Sequence, residues 1–270
     1  MSIITISRGS YSKGKEIAEK VAAELGYECL SRDVLLEASE LFNVPEIKLV
    51  RALHDAPKVL ERFSHGQKKY VTYIQQAFLE HVQKDNVVYH GLAGQFFLRG
   101  VGHALKVRII ADLDDRVRLE MERERISEDE ARHVLKKDDF ERRKWGLSLY
   151  GIDTADASLY DMVLHIRKLS VDDAVKLITH AARLPHFQTT PESRQAMDNL
   201  VLAAQVKSKI FDAYPDVDVS SDKGIVVVFT EGPLEREEAI RKRVSSHAQG
   251  IPGVKEVRVH VRPTAFVYSG

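Results

Sequence analysis

A short apolar run, Ile3-Ile4-Thr5-Ile6, meets Ser7-Arg8-Gly9-Ser10-Tyr11-Ser12-Lys13-Gly14-Lys15-Glu16, and a helix-like stretch then runs to Gly26. Strand, glycine loop and helix, in that order, make a cradle for phosphate. Glycines let backbone N–H groups converge on an anion, and the helix N-terminus adds its partial positive charge. Gly9, Gly14 and Lys15 fit the spacing G-x-x-x-x-G-K. The expectation is that backbone from Ser10 through Ser12 to Lys15 cradles phosphate. Lys15 then reaches the terminal phosphates, and Lys13 or Arg8 adds charge. The pattern asks next for a Ser or Thr whose hydroxyl holds Mg²⁺, and this chain has Glu16. Two readings stay open for Glu16: a carboxylate ligand for Mg²⁺, or a helix cap that leaves the metal to other groups.

The 270 residues suit one large or two modest domains, and a hydrophobic content of 44% supports a sizeable core. Formal net charge is zero, which argues against a global affinity for nucleic acid or anionic membrane. Cys29 is the single cysteine, so no intrachain disulfide forms, in keeping with a reducing cytoplasm. It reads as a small buried hydrophobe after the first helix. No signal-like segment opens the chain, and no apolar run approaches the roughly 20 residues that span a bilayer. The expectation is a cytoplasmic protein.

Periodicity predicts helix over 16–25 and 35–42, and mostly helix over 45–84. Strands are expected at 3–6, 86–91, 104–111 and 161–166. A charged helical region fills 114–145, and Ser170 caps a helix over 171–182 with Asp172 and Asp173 in its first turn. Strands separated by helices imply an α/β fold, a parallel sheet with helices on both faces. Leu184 to Pro191 reads as a linker. Beyond it come helix 192–213, strands 217–219 and 224–229, helix 235–249 and strand 253–261, which together make a small α+β unit.

The opening Ile4-Thr5-Ile6-Ser7-Arg8, with a loop ending Gly14-Lys15-Glu16-Ile17-Ala18, resembles the cytidylate kinase-like proteins, a branch of the P-loop nucleoside monophosphate kinases. Similar segments follow in order: Leu30-Ser31-Arg32-Asp33-Val34-Leu35, Val87-Val88-Tyr89-His90-Gly91, Val107 to Ala111 with Asp115-Arg116, Asp139-Phe140-Glu141-Arg142, and Tyr160 to Leu164. The resemblance covers residues 1–182 and makes Glu16 a feature of the branch. It implies a P-loop kinase-like domain over 1–183 that uses ATP and Mg²⁺, and a lid in which Arg116, Arg142 and Arg143 are the cations that close on the transferring group. Arg123 and Arg125 are alternates, and the surrounding glutamates leave all of them a second reading as surface ion pairs. Arg32, Asp33 and Gly91 fall at the acceptor side. Asp33 orients the acceptor or meets the metal indirectly on one reading, and caps a helix on the other. Arg51 and Arg62 fall in the acceptor-binding insertion.

One departure stands out. The family carries Gly-Arg after its second strand, where arginine binds the acceptor nucleotide, and this chain has His90-Gly91-Leu92. The C-terminal unit, over 192–264, resembles the BON domain through Val206 to Ile210, Asp222 to Val227 and Ile251 to Val257. That resemblance implies a protein or small-ligand partner. The leading expectation is ATP-dependent phosphoryl transfer to a small acceptor, a nucleoside monophosphate among the options. The rival is a catalytically silent nucleotide-binding protein that signals through its C-terminal unit.

Overall fold

The structure, a computed structural model, describes residues 2–8, 12–31, 33–43, 65–91 and 93–263. Gly9, Ser10, Arg32 and Leu92 lie outside the described residues, as does 44–64, the stretch that carries Arg51 and Arg62.

The apolar N-terminal run becomes β1 (Ile3–Arg8), the central strand of a five-stranded parallel sheet. On one side it pairs with β3 (Val87–Tyr89), which pairs in turn with β2 (Glu28–Leu30). On the other side it pairs with β4 (Ala104–Ala111), followed by β5 (Met162–Ile166). Both faces are covered, so β3 is apolar throughout and β1 is apolar over most of its length, whereas β4 alternates, with Lys106 and Arg108 on one face. Ile4, Ile6, Val107 and Ile109 pack beneath α1 (Gly14–Leu25) and α7 (Val171–Ala182). Ile3, Val87 and Tyr89 pack on the other face against α3 (His65–Val82) and the short α4 (Gly94–Phe97). α2 (Asp33–Phe42) lies against α3. The order β2-β3-β1-β4-β5 reverses direction at β1, which opens a crevice beyond the carboxyl ends of β1 and β4.

Two helices stand over that crevice. α5 (Leu113–Glu124) and α6 (Glu128–Tyr150) occupy the region expected as one charged helical stretch. Arg125 in the left-handed region ends the first, and Ser127 with Glu130 forms a capping box that starts the second. The pair shares a small core of its own, Val117, Ala131 and Leu135. The C-terminal half of α6 is anchored elsewhere, by the fully buried Trp145 beside Phe96.

The three-residue β2 was not expected, and it changes the reading of Cys29. That side chain is half-buried in a strand rather than buried after a helix. Residues 184–191 hold a 3-10 turn, Pro185–Phe187, and Thr190, the cap of α8 (Pro191–Ile210). After α8, β6 (Asp218–Asp222) runs antiparallel to β7 (Ile225–Gly232), and β8 (Glu256–Pro263) runs parallel to β7. Lys223 and Gly224 both have positive φ, the geometry of a two-residue hairpin turn. α9 (Glu237–Gln249) joins β7 to β8, and its Val244 packs with Val226, Val228 and Val259 in a third core. α8 belongs to two cores. Met197, Val201 and Ala204 enter the core of the large sheet, whereas Leu202, Val206 and Ile210 enter that of the small one.

Candidate functional site

The crevice holds two adjoining cavities, and the α5–α6 pair roofs both. The larger, about 620 Å³, lies between α1, α5 and the chain after β5, with Lys13, Glu16, Lys20, Arg116, Arg167 and Ser170 in its walls. The smaller, about 240 Å³, lies over the ends of β1 and β4, lined by Ser7, Arg8, Gln95, Arg108, Arg142, Arg143 and Thr154, among others. Arg116 and Ala111 line both.

The loop after β1 is fixed at its far end. Lys13 takes a left-handed backbone as the N-cap of α1, and its carbonyl accepts from Ile17 N. Gly14 follows because Arg8 lies across it. A Cβ there would come within 2.7 Å of Arg8 Cδ. Ser12 is buried and its hydroxyl donates to the Ile109 carbonyl at 3.3 Å, tying the loop to β4. Lys13 and Glu16 face the larger cavity. Lys15, expected at the terminal phosphates, is 65% exposed beside Glu19 at 3.7 Å and lines neither cavity.

Glu16 is engaged by Lys20 at 3.3 Å, and Lys20 also binds Asp172 at 2.9 Å, which joins α1 to α7. The hydrogen bonds to Asp172 and then Glu16 raise the Lys20 pKa and keep it charged. Among the described residues no group of three or more His, Cys, Asp or Glu is placed to hold a metal ion. The carboxylates in the wall of the larger cavity, Glu16, Asp115, Glu122 and Asp172, do not gather into a cage, which would suit Mg²⁺ arriving on phosphate oxygens.

Asp139 and Arg142 sit one turn apart on α6 and therefore share a face. Asp139 accepts from the buried Arg116 of α5 at 2.8 Å, and Arg142 donates to the Arg8 carbonyl at 3.2 Å. The two arginines proposed from the lid motif thus converge on the carboxyl end of β1. Arg143 pairs with Asp153 at 2.6 Å. The Asp153 carboxyl is held below its usual range, first by the Ala155 N–H, then by Arg143, with Arg108 adding its field. Arg123 pairs with Glu120 and Glu124 at the helix surface and lines neither cavity.

Of the residues expected to meet an acceptor, Asp33 opens α2. Gly91 leaves room for Tyr89. A Cβ at Gly91 would meet the Tyr89 hydroxyl at 2.2 Å, and burial raises that phenol's pKa. His90 is buried, at the end of β3.

Sequence reasoning missed Arg108, Gln95, Tyr160 and Thr154. Ser7 and Arg108 are register partners on β1 and β4, so their side chains share a sheet face. Arg108 donates to the Tyr160 hydroxyl at 3.2 Å, and that hydroxyl donates to the Thr154 carbonyl at 3.0 Å. A signal was present: Lys106 and Arg108 interrupt the apolar run of β4, where charged side chains are uncommon.

Comparison with known proteins places the chain among relatives. An archaeal relative, the cytidylate kinase of Pyrobaculum aerophilum, is 27% identical over 179 residues, 66% of this chain and 90% of the relative. The cytidylate kinase of Thermoplasma volcanium is 28% identical over 178 residues, 65% of this chain and 88% of that one. A crystal structure of an uncharacterized protein from Eubacterium ventriosum shares the fold, with a TM-score of 0.52 and 20% identity, over 67% of this chain and 98% of that one. No helix among the described residues is long and apolar enough to cross a membrane. Residues 3–168, which carry the parallel sheet and the α5–α6 pair, match the model of the cytidylate kinase-like family, and the chain belongs to that family.

Proposed function

We propose that the chain transfers the terminal phosphoryl group of ATP to a small acceptor, a nucleoside monophosphate among the candidates. The observation that carries this reading is Arg116. It stands in the wall between the two cavities, while Arg142 reaches the end of β1 from the facing helix. Phosphoryl transfer is positioning and charge neutralisation. ATP lies in the larger cavity with its phosphates toward Lys13, Gly14 and the loop from Gly9 and Ser10. An acceptor oxygen in the smaller cavity attacks the terminal phosphorus, the bond to the bridging oxygen breaks, and ADP leaves. Arg116 and Arg142 neutralise the charge spread over the transferring oxygens. Mg²⁺ would enter on the nucleotide and neutralise phosphate charge, with Glu16 the carboxylate that would hold it from the loop. Arg32, Asp33 and Gly91 belong to the acceptor side. The cation nearest the phosphates is Lys13 in this reading, with Lys15 two positions further along, on α1. The unit over 192–264 is BON-like and carries a protein or small-ligand partner.

The test is ADP formation by the full chain with Mg-ATP and a panel of nucleoside monophosphates and smaller acceptors. Arg142→Ala lowers kcat by about 10²–10³ with the fold intact, the size seen when one preorganised donor is removed. Lys13→Ala weakens ATP binding more than Lys15→Ala. Saturable ATP binding with no product from any acceptor supports the silent nucleotide-binding protein instead.

A further inference from the structure

The smaller cavity carries more charge than the structure itself answers. Five arginines line it against one aspartate, Asp139, and that carboxylate is already paired with Arg116. Arg108 is the clearest case. It is half-buried on β4 and donates to a neutral phenol, and no carboxylate among the described residues lies within ion-pair distance of it. A half-buried guanidinium without an anion is costly. A second, independent feature points the same way. Gln95 is only 5% exposed and lines the cavity, yet its carboxamide has no hydrogen-bond partner among the described residues. Buried amides are almost always paired. A cation held only by the Tyr160 hydroxyl and ring, and an amide that bonds to no described residue, thus face one space, which the Ser7 hydroxyl also lines.

We infer that Arg108 and Gln95 are the specificity-determining pair for the acceptor: Arg108 holds an oxyanion on it, and Gln95 hydrogen-bonds a neutral polar group beside that anion. This names the acceptor class of the phosphotransferase reading and rests on that reading for the word acceptor. The cavity bounded by the described residues is about 240 Å³. Pockets that enclose whole drug-sized ligands run from about 300 Å³ upward. The space therefore takes the anionic end of an acceptor, a phosphate monoester or carboxylate, rather than a complete nucleotide. Leu92 has no charged side chain where the family carries arginine, and Arg108 is a cation that lines the smaller cavity.

The experiment titrates the full chain with inorganic phosphate and, separately, with Mg-ATP, for the wild type, Arg108→Met, Gln95→Leu and Lys13→Met, with Tm recorded for each. Arg108→Met is expected to weaken phosphate about tenfold or more, the loss of one charge-assisted contact, while ATP affinity holds. Gln95→Leu leaves phosphate affinity unchanged and lowers kcat/KM for the acceptor. Gln95→Leu keeps or raises Tm, because it removes an amide that bonds to no described residue, and Arg108→Met changes Tm little, because it gives up only the contact with Tyr160 and no ion pair. A merely structural role predicts the opposite, a lower Tm. Phosphate bound as tightly by Arg108→Met as by wild type, or lost only in Lys13→Met, overturns the inference and leaves the phosphotransferase reading standing. Phosphate lost in Arg108→Met from a chain that never binds ATP upholds the anion site and sinks the phosphotransferase reading instead.

Discussion

The α5–α6 pair and helix α8 are both long helical insertions over the same sheet, and they are attached in opposite ways. The N-terminal part of the pair rests on three buried apolar residues, Val117, Ala131 and Leu135, and on exposed ion pairs such as Arg132 with Asp114 and Glu128. Exposed pairs of this kind add little stability. α8 is buried on two sides along its middle, with a narrower polar stripe of Asp198, Asn199 and Gln205 between them. One face is buried in the large core through Met197, Val201 and Ala204, and the other in the small core through Leu202, Val206 and Ile210. A region held by few apolar contacts opens at low free energy, whereas one buried on two sides opens only with the whole molecule. The first arrangement suits a roof that must admit and release ligands. The second makes the C-terminal sheet an arm fixed to the nucleotide-binding unit.

The most direct way to break this contrast is to cut α8 on each face in turn. Met197→Ala leaves a cavity in the large core and costs about 3 kcal/mol. Val206→Ala removes two buried methyl groups from the small core and costs about 2 kcal/mol. Each variant is expected to shift one common calorimetric unfolding transition. If Val206→Ala splits the endotherm into two, with the large core unmoved, the fixed joint is wrong.

A smaller effect lies at the foot of α8. Asp85 is buried in the turn before β3. His103 Nε2 lies 3.1 Å from one of its oxygens, and the other accepts from Thr189 at 2.8 Å and Arg194 at 2.5 Å. Burial by itself would raise the Asp85 carboxyl. The hydrogen bonds to His103 and Thr189, with the charges of His103 and Arg194, outweigh it and hold the carboxyl below its usual range. A depressed folded value stabilises the protein above the unfolded pKa, about 3.9, and that contribution is lost as pH falls through the folded value. Asp85→Asn is expected to cost about 2 kcal/mol at pH 7, discounted because Arg194 is partly exposed, and the gap from wild type narrows below about pH 4. Urea midpoints at pH 7, 5 and 3.5 test this, and a gap that does not narrow contradicts it.

The nucleotide-binding half is legible in the sequence because its signals are local. The apolar run of β1, the loop to Gly14 and the Asp139–Arg142 spacing each need only a few neighbouring residues. β2 is too short, at three residues, to show a period. Arg108 and Gln95 reach one cavity only through the pairing of β4 with β1 and the fold of α4, which no local pattern encodes. The two-sided burial of α8 is hidden for the same reason. Its apolar positions fall all round the helix, and a weakly one-sided pattern reads as an ordinary surface helix until both partners are in place.

The smallest effect sharpens the comparison most. Ser127 caps α6: its hydroxyl accepts from the Glu130 N–H at 3.3 Å, and Glu130 accepts from the Ser127 N–H at 3.0 Å. The Ser127 N–H first, and then the Ser127 hydroxyl donating at 2.7 Å, hold the Glu130 carboxyl below its usual range, so the cap is complete at neutral pH and weakens as acid protonates it. Ser127→Ala removes one half of the box, which costs about 1 kcal/mol. In a helix welded to the main core that loss would appear in the global transition. Here it falls on a pair with its own small core. The expected result is amide hydrogen exchange about fivefold faster in α5 and the first turns of α6, with α8 and the sheet unchanged. Faster exchange in α8 as well would mean that the roof and the arm open as one unit, and the difference between the two attachments would then be one of degree only.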